Sequence, residues 1–309
     1  MGIQSVLGSE FSIGETEHNL EFGVRYHEDE EDRFQHEDSF RMDNGILVLT
    51  SEGAPGSNAN RIGEANAWSF FVQDTIEIDK LRLLPGLRYE NIHYTRSDYG
   101  KEDPNRLGTE LSRVKTSSDA FIPGLGVQYD LNENWGAFFG IHKGFSPPGP
   151  VKSDEVEDEE SVNYEWGVNY NRESFRSELV LFWNDYDNLL GADTLSSGGE
   201  GTGDLFNGGE ATTFGVEASA SYDLAELFDC GVSVPTRVNY TFTSAEFDSS
   251  FDSEFFGDVI DGDDIPYIPE HQLGAGVGLD FEKFGIHLDG HYVDAMATVA
   301  GQSGTRSTD

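Results

Sequence analysis

The feature that most constrains the fold of this chain is an alternation of apolar and polar residues with a period of two. Between Trp68 and Ile78, five apolar side chains occupy even positions, and polar side chains occupy most odd positions. Successive side chains of a β-strand point to opposite faces, so this pattern predicts a strand with one apolar face. The alternation resumes at Leu81 after the dipeptide Asp79-Lys80, which predicts a tight hairpin.

The same pairing recurs along the chain. Further alternating segments cover residues 3–13 and 20–26, 125–131 and 135–141, 164–170 and 175–183, 214–222 and 232–242, and 273–281 and 284–292. Together they predict about twelve strands. Every second connection is tight, and the others are long and polar, near 28–64, 96–114, 146–160, 189–209 and 247–266.

A meander of this kind is typical of an outer-membrane β-barrel, with tight turns at one rim and long loops at the other. In lipid every backbone polar group must be paired within the protein, and an antiparallel barrel achieves this without long apolar runs. The longest apolar run here is Leu179 to Trp183, far short of a membrane helix. The predicted fold class is therefore all-β, an antiparallel transmembrane β-barrel of the outer-membrane type.

A soluble β-sandwich or propeller also alternates and is the competing interpretation. Three features favour the barrel. The predicted strands, of about 11–15 residues, are longer than usual, and the second face carries Arg, Glu, His and Gly, where a sandwich core would be dry. Large aromatic residues are expected near strand ends, as in a membrane girdle: Trp68, Trp135, Tyr170 and Trp183.

Composition excludes several functions. The chain has 58 acidic and 19 basic residues and a formal charge of -39, so it lacks the basic face that binds nucleic acid. The single cysteine, Cys230, allows no intrachain disulfide. No nucleophile elbow, zinc-protease motif or phosphate-binding loop is present, so we expect neither an enzyme nor a cofactor.

No metal site is predicted either. His287 and His291 share a face, but four residues along a strand separate them by about 13 Å. His27 and His36 lie in an acidic loop, where exposed histidines more often face solvent. The acidic segment 258–264 lacks the order of a calcium loop, so a solvated loop is the preferred interpretation.

Several motifs resemble one family. FFVQD at 70–74 followed by LPGLRYE at 84–90 resembles the barrel of TonB-dependent outer-membrane receptors. Further similar stretches are GIHKGFSPP at 140–148, EWG at 165–167, NGG at 207–209 leading into GVE at 215–217, and PYIPEHQ at 266–272. The HKGFSPP element and the acidic loop 27–32 are most similar to the ferric-citrate branch of that family.

The resemblance implies a barrel of 22 strands around an N-terminal plug. It implies location in the outer membrane of a Gram-negative cell, a ferric chelate as ligand, the TonB complex as partner, and contact with outer-membrane lipid. At about 25 residues per strand, 309 residues supply roughly twelve of these strands. We therefore expect residues 1–294 to form part of such a barrel and 295–309 a truncated loop or strand start. As the chain stands, no plug, TonB-contacting segment or export signal is recognised, and a closed twelve-stranded barrel is the minor alternative.

The expected function is transport of a ferric chelate, such as ferric citrate or a siderophore complex. The alternative is a passive barrel, or a surface protein whose acidic loops bind a partner. An anionic chelate would be repelled by the acidic loops, so the few cations of the lumen or outer rim are the candidate binding groups, although lumen arginines often pair with acids such as Glu90 and Glu178. The candidates are Arg82, Arg88, Arg113, His142, Lys143 and Arg176.

Overall fold

A computed structural model describes residues 1–150, 156–192, 205–228, 232–253, 257–298 and 300–301. Most of these residues form strands. In chain order the elements are β1 (Gly2–Ile13), β2 (Thr16–Gln35), β3 (Ser39–Asp43), β4 (Ile46–Ser51), β5 (Ala59–Ile78), β6 (Leu81–Asp98), β7 (Ser112–Asp130), β8 (Trp135–Ser146), β9 (Glu159–Arg172), β10 (Phe175–Tyr186), β11 (Leu190–Ala192), β12 (Leu205–Asn207), β13 (Ala211–Asp223), α1 (Ala225–Phe228), β14 (Pro235–Phe247), β15 (Phe251–Ser253), β16 (Gly257–Val259), β17 (His271–Asp280) and β18 (Gly285–Val293).

Twelve strands form one antiparallel sheet, which confirms the predicted fold class and strand number. Its order is β1-β2-β5-β6-β7-β8-β9-β10-β13-β14-β17-β18, so each long strand pairs with its neighbours in sequence. Among the described residues no pairing joins β1 to β18. The sheet is therefore an open length of barrel wall and does not close on its own.

The register places the apolar positions of neighbouring strands on one face, which we call the outer face. Phe70 pairs with Tyr89, and Val72 pairs with Leu87. These side chains remain exposed, with Phe70 at 40% and Leu87 at 43%. The opposite, inner face carries most of the polar and glycine residues of these strands, together with some large side chains such as Phe71. An apolar face of this size without a protein layer over it fits a sheet that contacts lipid.

The apolar band along β5 has the height of a membrane core. From Ile78 to Trp68 the strand covers ten residue-to-residue steps, or about 33 Å at the usual rise, and a tilt of about 40° reduces this to about 25 Å. Beyond Trp68 the same face becomes polar, with Asn66 and Glu64 paired to His93 and Thr95. Trp68 therefore marks the outer edge of the band but lies in the middle of β5, so its predicted position near the strand end is wrong.

Aromatic contacts line the rim that carries the tight turns. The ring of Tyr170 lies 4.8 Å from Trp135 and 5.7 Å from Phe175, and Phe175 lies 6.0 Å from Tyr222. On the other side of the band, Trp183 stacks on Tyr164 at 5.3 Å. Aromatic rings at both edges are the arrangement expected of a membrane girdle.

The structure departs from the predicted loops in three of the long connections. Short hairpins form within them: β3 with β4, β11 with β12, and β15 with β16. In addition, β2 and β5 pair as far as Gln35 and Ala59, although residues 28–64 were predicted to be a loop. Backbone pairing needs no apolar side chains, so these strands continue beyond the membrane band without the alternation that predicts them.

One connection on the tight-turn rim is longer than predicted. Between β13 and β14 the chain forms the single turn α1, and the predicted strand start at Val232 is wrong. The carboxylate of Asp223 accepts hydrogen bonds from the backbone N–H groups of Ala225 (2.9 Å) and Val234 (2.8 Å). These bonds hold the two ends of the connection together. Residues 229–231, with Cys230, lie outside the described residues.

Within the described ranges, no helix combines the length and the apolar character needed to cross a membrane.

Candidate functional site

The inner face of β5 to β8 contains a shallow depression of about 510 Å³. The antiparallel register assembles it, because Phe71 pairs with Arg88, and Gly124 pairs with His142. The inner-face residues that line it are Phe71, Gln73, Leu84, Gly86, Arg88, Ile122, Gly124, Gly126, Gly140 and His142. We call this surface the inner-wall depression.

Glycines form the floor of the inner-wall depression. A Cβ atom added at Gly86 would approach Val72 only to 3.8 Å, and one at Gly140 would approach Glu165 to 3.9 Å. Gly124 and Gly126 are tighter, at 3.3 and 3.4 Å from the nearest side-chain atoms. The wall thus has room for small side chains at two of these positions. Their absence leaves backbone exposed, so a group in the lumen can approach closely.

Arg88 is the charged group of the depression and has an acidic partner. Its guanidinium donates hydrogen bonds to Glu90 and, at 3.2 Å, to the hydroxyl of Ser69. Glu90 and Ser69 are buried, whereas the Arg88 side chain is 41% exposed. The buried carboxylate therefore holds the arginine in place and offsets part of its charge, while the guanidinium still faces the lumen.

The six cationic candidates do not form one group. Arg88 and His142 share the inner-wall depression, and Lys143, whose side chain has the parity of the outer face, borders it. Arg82 lies at the tight-turn rim, 2.8 Å from Glu77, and Arg176 lies near the same rim as the second residue of β10. Because a ligand from outside would meet the long loops first, these two arginines are far from its point of entry.

The remaining two candidates lie toward the long loops but on the outer face. Lys143 has the parity of Ile141 and forms an ion pair with Glu160 at 2.7 Å. Arg113 lies at the start of β7 and donates from Nε to the hydroxyl of Ser97 at 3.1 Å. Arg88 and His142 are therefore the candidates that the fold places on the inner face between the two rims.

The described end of the connection before β9 lies against the inner face, on the long-loop side of the depression. Asp158, in the connection before β9, has a pKa raised above its ordinary value, first because it is buried and then because acids such as Glu160 and Asp119 repel its charge. Its Oδ1 atom is buried and has no hydrogen-bond partner among the residues that the structure describes. The nearby inner-face side chain of Tyr94 is 5% exposed. Asp158 thus lies against the inner wall near Tyr94.

A second loop is fixed to the long-loop rim by Arg106. Its guanidinium donates two hydrogen bonds to Asp32, at 2.9 and 2.5 Å, and one to Asn60 at 2.8 Å. It also lies over the rings of Phe34 and Tyr99, 5.2 and 5.3 Å from their centroids. The hydrogen bond from Arg106 lowers the pKa of Asp32. This connection between the β6–β7 loop and the β2–β5 extension is called the Arg106 clasp below.

Asp103 also holds the β6–β7 loop in place. Its carboxylate accepts hydrogen bonds from the backbone N–H groups of Leu107 (2.9 Å), Gly108 (2.7 Å) and Thr109 (3.2 Å), and these bonds lower its pKa. A charge stabilised by three backbone donors favours one loop conformation. The β6–β7 loop is therefore held by its own hydrogen bonds as well as by the Arg106 clasp.

Sequence reasoning missed one cluster. Glu270, His271 and Asp294 offer ligand atoms within 4.8 Å of one another, the single such group found among the described residues. His287 and His291, which share a face in the sequence pattern, both lie on β18. This cluster forms instead across the ends of two strands. The available signal was the hairpin pairing, which places the start of β17 beside the end of β18.

Comparison with known proteins gives a family match over almost the whole chain. A sequence profile described as "TonB dependent receptor-like, beta-barrel" matches residues 3–309. The pesticin receptor of Yersinia enterocolitica is 24% identical over 232 residues, which are 70% of this chain and 32% of that protein. The ferric-pyoverdine BN7/BN8 receptor of Pseudomonas putida is 30% identical over 202 residues, or 58% of this chain and 24% of the receptor.

The fold is also found in solved structures. The unliganded ferric citrate transporter FecA superposes with a TM-score of 0.70 at 21% identity, covering 96% of this chain and 42% of that one. At this identity the superposition shows the fold alone. The chain spans about a third or less of the length of the curated relatives given above.

Proposed function

Because this chain belongs to the TonB-dependent receptor family and corresponds to a length of its β-barrel, we propose that it forms part of the wall of a receptor that imports a ferric chelate across the outer membrane. The family consists of outer-membrane receptors that act as transporters, not enzymes. What we propose is that the receptor imports its ligand, that the TonB complex drives this import, and that the ligand is a ferric chelate.

The inner-wall depression is the observation that carries the proposal. Arg88 supplies a guanidinium, and His142 an imidazole, beside a floor of glycines. A guanidinium donates several hydrogen bonds to carboxylate oxygens in a planar arrangement, which suits the anionic surface of a ferric chelate. Because Glu90 already takes part of the charge of Arg88, we expect passing contact along the wall and not a tight site.

Two related proteins support a ligand of the ferric-citrate class. A ferric citrate transporter is among the structures that share the fold, and a ferric-pyoverdine receptor is among the relatives. Both ligands are iron complexes that present oxygen-rich, anionic surfaces. The motifs at 142–148 and 27–32 favour citrate within this class.

Iron uptake by living cells tests the proposal. In a strain with the full-length gene deleted, uptake of radiolabelled ferric citrate should fall, and a plasmid copy should restore it. Uptake should also stop when the TonB complex is removed. If the deleted and complemented strains take up ferric citrate equally, citrate is not the ligand, and the same strains are then tested with ferric pyoverdine.

The acidic surface of the long-loop rim favours one competing function. A passive barrel that concentrates cations would also carry acidic segments, such as residues 28–32 of β2. Reconstitution of the full-length protein in planar bilayers separates the two functions. A silent barrel supports the receptor, and a steady open conductance supports the passive channel.

A further inference from the structure

At the long-loop end of β17 and β18, the outer face carries a cluster of three possible metal ligands. Glu270 precedes β17, His271 begins it, and Asp294 follows β18. Their ligand atoms lie within 4.8 Å of one another. We call these residues the rim triad. They lie apart from the inner-wall depression, because His271 has the parity of Leu273, whose cross-strand partner is Tyr292.

The two strands hold the backbone of the rim triad together. The N–H of Asp294 donates to the carbonyl of His271 at 2.9 Å, directly beyond the last register pair, Gln272 with Val293. Two ligands are therefore on adjacent paired strands, and the third is the neighbour of one of them. A cation with bonds of about 2.1 Å needs donor atoms about 3.4 Å apart in a tetrahedral site, so small side-chain rotations suffice.

The imidazole of His271 is already oriented. Its Nδ1 atom lies 2.9 Å from the hydroxyl of Tyr240, and its ring is stacked near Tyr240 and tilted against Phe242, with the Phe242 ring centroid 5.4 Å away. When Nδ1–H donates to the hydroxyl, the lone pair of Nε2 is free for a metal. Orientation of a ligating histidine through its second nitrogen is a recurring feature of metal sites.

The carboxylate of Asp294 is also fixed through one oxygen. Oδ1 accepts the N–H of Ala295 at 2.8 Å and the hydroxyl of Tyr292 at 3.3 Å. Oδ2 has no hydrogen bond to any residue that the structure describes. Among the described residues, none of the three side chains of the rim triad forms an ion pair with a lysine or arginine. Within the described part of the chain, therefore, no lysine or arginine offsets the two carboxyl groups of the rim triad.

From this geometry we propose that the rim triad binds a divalent transition-metal cation of the Zn²⁺ type. One imidazole nitrogen and two carboxylate oxygens are a mixed ligand set that suits Zn²⁺, whereas Ca²⁺ requires six to eight oxygen ligands. Three protein ligands leave one position of a tetrahedral site for water or another ligand. The bound cation joins the ends of β17 and β18 at the edge of the aromatic girdle.

Metal titration of the whole chain, refolded in detergent micelles and freed of metal with a chelator, tests the inference. Isothermal titration with Zn²⁺ should show a saturable site that His271→Ala weakens by at least about ten-fold. Asp294→Asn should have a similar effect, and Ca²⁺ should not displace Zn²⁺. Co²⁺ bound in place of Zn²⁺ should give the absorption bands of a site with nitrogen and oxygen ligands, and these bands should disappear in His271→Ala.

His291→Ala is the matched control, since it removes an imidazole from β18 on the inner face, where His291 pairs with Gly274. It should bind Zn²⁺ like the original chain. Equal affinity in the original chain and in His271→Ala would overturn the inference. If His271→Ala does not refold, His271→Asn replaces it. No ferric chelate is present in this experiment, so its result does not depend on the proposed transport.

Discussion

Three phenylalanine side chains of the inner face lie across a glycine of the next strand. Phe138 pairs with Gly167, and a Cβ atom placed on Gly167 would lie only 2.1 Å from Cζ of that ring. Phe71 covers Gly23, and Phe182 covers Gly215, in the same way. These glycines are needed for the wall itself, unlike Gly86 and Gly140, which have room for a small side chain. Two kinds of glycine thus occur on one face.

Gly167→Ala should destabilise the folded chain by about 1–3 kcal/mol, because the ring of Phe138 must move from its position over β9. Urea unfolding in lipid vesicles, followed by tryptophan fluorescence, measures the change. Gly8→Ala is the control, since its Cβ atom would meet nothing within 4 Å. Adding Phe138→Ala should remove most of the Gly167→Ala penalty, and an undiminished penalty in that background would contradict the proposed overlap.

At the same scale, Arg106→Ala should loosen the Arg106 clasp in a pH-dependent way. The pKa of Asp32 lies below its ordinary value of 3.8 because Arg106 donates a hydrogen bond to it. The contribution of this pair is therefore complete above the unfolded pKa and is lost as the pH falls through the lowered, folded pKa. The gap in urea midpoint between the original chain and Arg106→Ala should be present at pH 7 and shrink toward pH 2. A gap that stays constant with pH would exclude Asp32 as the partner that matters.

Among the strands, β5 shows that apolar alternation and strand length are different properties. The alternation ends at Trp68, where the outer face becomes polar, but the strand continues to Ala59. In the part from Trp68 to Ile78, lipid contact requires apolar side chains on the outer face. In the part from Ala59 to Ala67, backbone pairing with β2 and β6 maintains the strand without them. A charge should therefore be costly in the first part and tolerated in the second.

Val72→Lys should lower the free energy of unfolding in lipid vesicles by about 2–4 kcal/mol, because Val72 lies near the middle of the apolar band. Asn66 lies on the same face, six residues from Val72 and beyond the edge of the band at Trp68. Asn66→Lys should therefore lower the free energy of unfolding by less than about 1 kcal/mol. Equal costs for both substitutions would show that the band does not end at Trp68. The same urea titration serves for both variants.

The strands of the membrane band could be predicted from sequence because lipid imposes a period of two on them. The extensions of β2 and β5 could not, since the acidic run at 28–32 gives no apolar face even though its backbone pairs with β5. The hairpin of β3 and β4 had a usable signal in Asn44-Gly45, a dipeptide that favours tight turns. Asn44 and Gly45 have positive φ angles of 47° and 80°.

The candidate site could be predicted from sequence only in part, because it depends on how neighbouring strands are aligned. Parity correctly assigns Arg88 and His142 to one face, but their shared depression depends on the register of β6, β7 and β8. The rim triad likewise depends on the register of β17 and β18. Period-two patterns give the face of each residue and leave open which residues of neighbouring strands meet.

For the whole molecule, the two sheet edges and the uncovered apolar face determine behaviour in solution. β1 is exposed along its full length and β18 is equally exposed, and among the described strands β1 pairs with β2 alone and β18 with β17 alone. An unpaired edge offers backbone donors and acceptors to any other strand. The charge of -39 opposes association between copies, but the charges lie mainly beyond the apolar band.

We therefore expect the isolated 309-residue chain to associate through its edges and apolar face, despite its charge. Without detergent it should sediment as large aggregates, and added salt should increase aggregation because it screens the repulsion between acidic segments. In detergent micelles, which cover the apolar face only, analytical ultracentrifugation should show concentration-dependent pairing of copies through β1 and β18. A longer receptor chain in which further strands pair with β1 and β18 should remain monomeric in the same detergent. A monodisperse monomer of the isolated chain in detergent-free buffer would show that something within the chain already covers the edges and the apolar face.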